Sequence, residues 1–416
     1  MSARKNPLLH ALLRPRGQSR HRRSGVALLV VITTVMVMTL LITDLTYGSR
    51  VRMLVAYHAR DRVQAEWLAR SGFNLYRIIL VANKELEKNS TIKEFADSMG
   101  LPIGDALWQM VPVLNTGLLR MLMGSGGDAS DVSEEDIETL KTTGQVSEEI
   151  EEASREGGLF SDRNFLDFEG DFSAEVHDHE SRININAFAL ADEKSVTSIY
   201  ESPTAKQLYA LMSGEDNDQW FLERDIDRWE IIGNLKDWVD LDSMRSAGQG
   251  GYEDSLYNTL EPPYLTKNAP FDTTEEIKLV AGWEGEVFDK FGPNLTVFGS
   301  SGKINVNNAT DDVVKSVVRA CSETVPADST MDLCMETMEF MFSRGSWGSA
   351  KEFSQSAEQC GLPLLKECVD ARVATSSQTF DIISIGLVGT SAVTLHAVLD
   401  FSGGNSKGEL QYWRMD

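Results

Sequence analysis

The architecture is decided by the stretch Arg22-Arg23-Ser24-Gly25-Val26-Ala27-Leu28-Leu29-Val30-Val31-Ile32-Thr33-Thr34, which continues without a charge to Thr43. Seven basic residues and no acidic residue precede Val26. The apolar run is about as long as the shortest helix that spans a bilayer, which needs roughly 17 residues. Basic residues before such a span place its N-terminus in the cytoplasm. The sequence therefore predicts a single-pass membrane helix with most of the chain beyond the membrane.

Three interpretations of this segment compete. An ordinary secretory signal has a shorter apolar core followed by a small-x-small cleavage site, which residues 44–50 do not offer. An uncleaved anchor is the second interpretation. The third is a prepilin-type leader, which the junction from Arg22 to Leu29 resembles. In that class the prepilin peptidase cuts before the apolar run, here between Gly25 and Val26, and the new N-terminus at Val26 is methylated.

Charge limits the classes of partner. The chain of 416 residues carries a net charge of −24, and removal of seven basic leader residues would leave −24 − 7 = −31. Such an acidic protein repels phosphate backbones, so we expect no nucleic acid partner. Carboxylates in this number suit divalent cations, which prefer oxygen ligands.

The four cysteines lie close together in the sequence, beyond the predicted membrane helix: Cys321, Cys334, Cys360 and Cys368. In an oxidising periplasm they would form two disulfides, and three pairings are open. The alternative is four buried free thiols. A zinc site is disfavoured because no C-x-x-C pair occurs and the histidines lie elsewhere.

Helical character continues after the membrane span. No proline and a single glycine, Gly72, occur between Arg50 and Lys88, and apolar residues recur at steps of three and four. This pattern predicts one helix from Val26 to Lys88. Residues 124–158 are acidic and poor in aromatic residues, which predicts a flexible insertion.

A short motif occurs twice. Residues Arg182-Ile183-Asn184-Ile185-Asn186-Ala187 recur as Lys303-Ile304-Asn305-Val306-Asn307-Asn308-Ala309. The alternation predicts a short half-buried strand or turn. After the second copy, Thr310 is predicted to cap a helix by accepting from its free amides. The motif resembles the opening of helix-hairpin-helix modules, but neither copy precedes a basic, glycine-containing hairpin, so a structural start to a helical bundle is favoured over DNA contact.

An acidic block lies between the two copies: Asp237-Trp238-Val239-Asp240-Leu241-Asp242, followed by Gly248 to Tyr257 with Glu253 and Asp254. Carboxylates on a glycine-rich loop suit Ca²⁺, although the spacing is not that of an EF-hand. A solvated acidic turn over a Trp and Tyr core is the alternative. Paired carboxylates also occur in glycosidases, but nothing else in the sequence supports such an active site.

Four regions together resemble the K-type minor pseudopilins of the type II secretion pathway. They are the leader junction with its helix, the motif at Arg182, the block from Asp237 through Tyr257 to Ile277, and the motif at Lys303. The resemblance implies a pseudopilin that is not an enzyme. It would cap the tip of the periplasmic pseudopilus and help to initiate its assembly for export of folded proteins.

The resemblance also implies an α+β fold. A pilin-like domain, with a long N-terminal transmembrane helix and a small antiparallel sheet, would be interrupted by a large all-α insertion of helix-hairpin-helix or SAM-like type. The expected segments are the leader 1–25, the long helix 26–88 with 26–45 in the membrane, a pilin-like part 89–186, a helical insertion 187–303, a second helical module 304–369 with the cysteines, and C-terminal strands 370–416.

The family further implies partners and a place in the cell. The partners would be other minor pseudopilins of the I and J types, the major pseudopilin, the prepilin peptidase and the secretion machinery of the inner membrane. The protein would cross the bacterial inner membrane once and hold its bulk in the periplasm. Calcium binding in the helical domain is implied as well, with Asp240, Asp242, Glu253 and Asp254 as ligands and Asp237 as a weaker candidate.

The fifth residue after the predicted cut is Val30. In filament-building pilins this position is usually Glu, whose carboxylate meets the ammonium group of a neighbouring subunit. An unpaired ammonium is unfavourable in a low-dielectric bundle, so that carboxylate matters. A subunit without this carboxylate cannot pair with the ammonium group of a next subunit in the filament. Such a subunit suits the tip, where no next subunit follows. The alternative is that Val30 faces lipid in an ordinary anchor.

Two other functions stay open at this point. A minor pilin of a type IV pilus or competence system would share the leader and the helix, but the block from Asp237 to Asn268 resembles the secretion family. A membrane-anchored hydrolase would use the acidic block as paired carboxylates within a cleft.

Overall fold

The computed structural model describes residues 24–88, 107–111, 113–119, 168–190, 193, 196, 198–248, 250–342, 346–405 and 407–416. The leader as far as residue 23 and the acidic segment 124–158 lie outside these residues. The chain divides into two units, Met1–Asp61 and Arg62–Asp416.

Helix α1 runs over Ser24–Lys88, close to the predicted limits of Val26 and Lys88. Among the described residues it is the one helix long and apolar enough to cross a membrane, and its most apolar window has a mean hydropathy of 2.7 with no residue buried. The hydroxyl groups of Thr34, Thr39 and Thr43 each donate to a carbonyl one turn earlier at 2.7 Å. The polar side chains of this stretch are therefore satisfied within the helix, which suits a single-pass anchor.

The second unit contains a small antiparallel sheet against which residues of α1 pack. In the described part of the chain it has five strands in the order β1-β2-β7-β8-β9. Their bounds are β1 Val113–Asn115, β2 Asp171–Asp178, β7 Thr379–Val388, β8 Ser391–Asp400 and β9 Glu409–Met415. Alternate residues of β2 are buried, including Phe172 and Ala174, and the first four residues of β7 are all buried, including Phe380 and Ile382. The mixed helix-and-sheet class predicted from sequence is confirmed at this level.

Helix α1 approaches this sheet closely at two glycines. A Cβ atom added at Gly386 would lie 1.9 Å from the carbonyl oxygen of Ala65, and one added at Gly72 would lie 2.4 Å from Ser384 Oγ. Both distances are far below van der Waals contact. The absent side chains therefore set the spacing between helix and sheet.

Strands β2 and β7 pair without interruption over the full length of β2, with Asp178 opposite Phe380. The chain between them, residues 179–378, forms the helical part of the molecule. Its longer helices are α3 Pro203–Leu211, α4 Glu215–Glu223, α5 Arg228–Val239, α7 Asp311–Cys321, α8 Asp328–Phe342 and α9 Ala350–Gln359, and its short ones are α6 Glu286–Phe291 and α10 Lys366–Arg372; the short α2, Leu107–Met110, precedes the sheet.

One apolar core extends through this helical part from Ile183 to Val373. Across it, Gln207 on α3 donates to Ser316 Oγ on α7 at 2.5 Å. The sequence placed a boundary between residues 303 and 304, but the described elements on the two sides of that boundary share this core.

The repeated motif forms the same local structure twice. Ile183–Asn184 (β3) pairs in parallel with Leu295–Thr296 (β4), and Ile304–Asn305 (β5) pairs in parallel with Val373–Ala374 (β6). In each copy the first asparagine accepts from the amide two residues later, at 3.0 and 3.1 Å. The second asparagine donates to two backbone carbonyls of other segments. The motif therefore ties loops to strand ends.

Thr310 lies at the predicted start of a helix, but the prediction that its side chain caps the helix is wrong. Thr310 precedes α7 with extended backbone, but its side chain accepts from no amide of the helix. Its hydroxyl instead donates to Asn294 Oδ1 at 2.9 Å. The neighbouring loop competes for the hydroxyl group, and Asp311 and Asp312 supply the negative charge at this helix end.

The cysteines are paired in the structure as Cys321–Cys368 and Cys334–Cys360. The bridges join α7 to α10 and α8 to the end of α9. The four helices that follow the second motif copy are thereby linked in two pairs.

Candidate cation site

The acidic block folds into a loop that begins at the end of α5. The amide of Asp240 donates to the carbonyl of Lys236 at 2.9 Å and closes the last turn of the helix. Asp242 Oδ1 then accepts from the amide of Met244 at 2.7 Å, which turns the chain. Glu253 begins a short 3₁₀ helix, Glu253–Leu256, where the loop returns. The three carboxylates therefore come from both ends of one loop.

These ends meet in space. One carboxylate oxygen from each of Asp240, Asp242 and Glu253 lies within 4.8 Å of the others. Calcium is bound by oxygen atoms at about 2.3–2.6 Å, so two ligands of one ion lie at most about 5 Å apart. The spacing of the three oxygens fits a single hard cation.

Buried oxygen atoms without partners give independent support. Glu253 is only 1 % exposed, and neither of its carboxylate oxygens has a hydrogen-bond partner among the described residues. The same holds for Asp237 Oδ2, Asp240 Oδ1 and Asn268 Oδ1. All five atoms are acceptors, and acceptors cannot satisfy one another. A buried unsatisfied group is costly, so each of these atoms needs a donor or a cation.

The same crowding raises pKa values. Burial raises the pKa of Glu253 to about 8, and the charges of Asp237, Asp240 and Asp242 add to the increase. Burial also raises the pKa of Asp237 to about 6. The pKa of Asp240 is raised by burial and then by the Asp242 charge. Negative charge is thus unfavourable here unless a positive charge offsets it.

Nearby basic side chains offset this charge only in part. Lys236 Nζ pairs with Asp240 Oδ2 at 3.7 Å and donates to Ser246 Oγ at 3.1 Å. Arg245 pairs with Glu230, outside the three-carboxylate group, at 2.6 Å. Neither ion pair reaches the carboxylate of Glu253.

Two of the predicted ligands differ from the central three. Asp237 uses Oδ1 to accept from the amide of Ser246 at 2.9 Å, and its buried Oδ2 stays without a partner. Asp254 lies apart from the three-carboxylate group, because its Oδ1 accepts from both the amide and the hydroxyl of Thr266, at 3.0 and 2.8 Å. Asp254 therefore braces the loop.

Asn268 is a candidate ligand that the sequence prediction did not include. Its backbone is left-handed, with φ of 49°, a conformation that asparagine adopts more readily than most residues. The amide of the next residue, Ala269, donates to the carbonyl of Trp238 at 3.4 Å, which holds this segment beside the end of α5. A carboxamide oxygen is a normal ligand for a hard cation.

A cluster of aromatic side chains packs at the acidic loop. Trp238 packs against Tyr257, Tyr264 and Phe271 with ring centres 5.5–6.2 Å apart. Its indole Nε1 donates to Glu276 Oε1 at 3.1 Å. The Trp and Tyr core expected next to an acidic turn is therefore present. It supports the end of α5, from which Asp240 and Asp242 follow.

The remaining predicted site residues lie on α1. Gly25 and Val26, which flank the predicted cut, are in its first turn, and the side chains of Val26 and Val30 are exposed. The structure describes no residue before Ser24, so the predicted leader itself cannot be placed against them.

Comparison with known proteins finds a family match for the segment that contains the acidic loop. Residues 181–300 match the family model of the type II secretion system (T2SS), protein K. This segment is similar to the protein K family. The predicted resemblance to K-type proteins is therefore confirmed, and the protein K segment includes the entire three-carboxylate cluster.

Curated relatives carry the same name. Type II secretion system protein K of Klebsiella pneumoniae is 26% identical over 200 residues, which cover 47% of this chain and 56% of the relative. The protein K of Aeromonas hydrophila is 23% identical over 232 residues, 55% of this chain and 66% of the relative. That of Pectobacterium carotovorum subsp. carotovorum is 26% identical over 146 residues, 34% of this chain and 41% of the relative. The chain thus spans roughly two fifths to two thirds of the relatives' lengths.

A chain of the solved GspK-GspI-GspJ complex from the type 2 secretion system of enterotoxigenic Escherichia coli also aligns, with 16% identity and a TM-score of 0.45. The alignment covers 60% of this chain and 80% of that chain. The names of the three relatives describe a component of the type II secretion system. The protein K names favour secretion over the type IV pilus or competence alternative.

Proposed function

We propose that this chain is a minor pseudopilin of the type II secretion system, which caps the periplasmic pseudopilus and helps to initiate its assembly for export of folded proteins. The observation that carries the proposal is the match of residues 181–300 to the protein K family. That segment contains the acidic loop, so the match falls on a structured and chemically distinctive part of the chain.

We propose a pilin-like fold with a helical insertion of helix-hairpin-helix or SAM-like type. Residues of α1 pack on a small antiparallel sheet, as in a pilin-like domain. Strands β2 and β7 are neighbours in that sheet, yet residues 179–378 separate them in sequence. Their full pairing supports the idea that the helical part was inserted between two adjacent strands. We propose the division into 89–186, 187–303, 304–369 and 370–416, in which 187–303 and 304–369 share one apolar core.

The N-terminal helix supports a membrane location. We propose that prepilin peptidase cuts between Gly25 and Val26, that Val26 is then methylated, and that α1 anchors the protein in the inner membrane with its bulk in the periplasm. The exposed apolar side chains from Val26 onward suit contact with lipid and with other apolar helices. The seven basic residues before the cut support a cytoplasmic N-terminus.

The tip position is supported by Val30. An exposed valine offers no carboxylate to a neighbouring subunit's ammonium group. The proposed partners are the I-type and J-type minor pseudopilins, the major pseudopilin and the inner-membrane secretion machinery. In a tip position, the other pseudopilins would contact α1 along its sides and at the end that faces the base of the pseudopilus.

We propose Ca²⁺ as a structural cofactor held by Asp240, Asp242 and Glu253, with Asp237 and Asn268 beside them and Asp254 bracing the loop. When bound, the ion would supply positive charge to a buried set of oxygen atoms. It would join the end of α5 to the returning loop. We propose no catalytic step at this site.

The experiment that tests the proposed function is export in a bacterial strain that lacks this gene. The full chain should restore release of the secreted proteins, and a Gly25→Glu variant, which blocks cleavage, should not. Mass spectrometry of the purified protein should find a methylated N-terminus at Val26. Normal export without the gene, or a mature protein that starts at Met1, would contradict the proposal.

A further inference from the structure

The loop that carries the three carboxylates also displays large apolar side chains to solvent. Leu241 is 79% exposed, Met244 is 56% exposed and Tyr252 is 69% exposed. We name these three residues the apolar loop face. Single exposed apolar residues are common on protein surfaces, but three on one short loop need an explanation.

The apolar loop face is coupled to the carboxylates through the backbone. Leu241 lies between Asp240 and Asp242 in sequence. Met244 and Tyr252 are opposite each other in an isolated antiparallel bridge. The amide of Met244 donates to Asp242 Oδ1, and Tyr252 directly precedes Glu253. Each apolar residue is therefore within two residues of a carboxylate in the cluster.

The bridge forms the base of a narrow loop. The amide of Arg245 donates to the carbonyl of Gly251 at 3.0 Å, and the amide of Glu253 donates to that of Ser243 at 3.3 Å. Gly250 and Gly251 have positive φ angles, and a Cβ atom added at either would meet no other atom within 4 Å. An ion that joins Asp242 to Glu253 would close the base and fix the bridge. The same ion would set the positions of Met244 and Tyr252.

We propose that the apolar loop face is a cation-dependent docking surface for another protein, one whose contact region is basic and contains an apolar pocket. Tyrosine and methionine are enriched in protein interfaces, where they fill pockets on the partner. The proposal rests on the proposed cation site and deepens the proposed function, because it assigns a partner-binding role to the protein K segment.

Charge selects the chemistry of the partner. Residues 215–290 contain nineteen acidic and seven basic side chains. One divalent cation leaves this region strongly negative. It therefore repels an anionic lipid surface, and it repels the same face of a second copy of the chain. A basic protein surface is attracted, which raises its rate of association.

The test is photocrosslinking in secretion-competent cells with the full-length chain. A benzophenone amino acid replaces Met244, and a matched probe replaces Leu222, which is 82% exposed on α4 outside the loop. We expect the Met244 probe to form an adduct with another protein, and the crosslinked peptide to carry a net positive charge. Calcium chelation or Asp242→Asn should lower its yield at least fivefold. The Leu222 probe should show no such dependence.

A second variant separates docking from cation binding. Leu241→Ser with Tyr252→Ser should lose the adduct at Met244, while the purified variant keeps the calcium-induced rise in melting temperature. An adduct with lipid, with a second copy, or with an acidic peptide would overturn the proposal, as would an adduct that survives chelation or no adduct at all. Failure of the proposed function would be seen separately as normal export without the gene.

Discussion

Asp242 and Glu253 are eleven residues apart in the sequence, yet a carboxylate oxygen of each lies within 4.8 Å of the other. Two acids at this distance repel each other, and Glu253 is buried. We expect calcium to raise the melting temperature of the purified chain. Calcium at about 100 times its dissociation constant would stabilise the fold by roughly 2.7 kcal/mol. Differential scanning calorimetry with calcium and with EDTA measures the effect.

The matched variants are Asp242→Asn and Asp254→Asn. Asp242→Asn should remove most of the calcium-induced shift, because it removes one of the three carboxylates in the cluster. Asp254→Asn should lower the melting temperature in both conditions and retain the shift, since Asp254 bonds Thr266 and lies outside the cluster. An equal response to EDTA in all three proteins, or none in the parent, would contradict the cation site.

A second prediction concerns pH and Glu180, a buried acid next to the first motif copy. Burial raises its pKa from 4.5 to about 7, and the Asp178 charge contributes, although the amide of Gln378 donates to its carboxylate and lowers it. The folded protein therefore holds a proton that the unfolded chain releases above pH 4.5. The stability from this group is complete below pH 4.5 and is lost as pH rises to 7. The loss amounts to roughly 3 kcal/mol.

Glu180→Gln keeps the shape of the side chain and removes its charge. The free energy of unfolding of this variant, compared with that of the parent, should therefore increase between pH 4.5 and pH 7. Urea unfolding at several pH values provides the comparison. Glu175→Gln is the control, since Glu175 lies on β2, five residues before Glu180, with 45% of its side chain exposed. A parallel pH dependence in the parent and Glu180→Gln would contradict the buried proton.

The sequence predicts those features that are encoded locally. The long helix follows from an uninterrupted apolar periodicity, and Asp240 and Asp242 are recognised because they are two acids separated by one residue at a helix end. Glu253 and Asp254 are adjacent, but a 3₁₀ turn directs one into the cluster and the other to Thr266. Which acid enters the site depends on that turn.

Features that depend on contacts between distant segments are not predicted by local sequence patterns. Asn268 has no local pattern that marks it as a candidate ligand, and its position depends on the bond from the Ala269 amide to the Trp238 carbonyl. The pairing of β2 with β7 crosses residues 179–378, so local alternation cannot specify it. The shared core on both sides of residue 303 also depends on tertiary packing.

A third prediction concerns the close contact of helix and sheet. Gly386→Ala places a methyl group 1.9 Å from the carbonyl oxygen of Ala65, so α1 or β7 must shift. We expect a loss of about 1–3 kcal/mol or more in unfolding free energy. Gly403→Ala is the control because an added Cβ would meet only Glu409, at 3.7 Å. If chemical denaturation finds the two variants equally stable, the helix does not pack on the sheet as described.

The final prediction concerns the two disulfides. Cys321–Cys368 encloses a separation of 47 residues and Cys334–Cys360 one of 26. Closing a longer loop restricts the unfolded chain more, so the loss of Cys321–Cys368 should be the more destabilising, each bridge contributing about 2–5 kcal/mol. Paired Cys→Ser variants and urea unfolding measure both effects. Mass mapping of the unreduced protein should recover these two pairs, and any other pairing would mean that α7 and α10 are not joined as described.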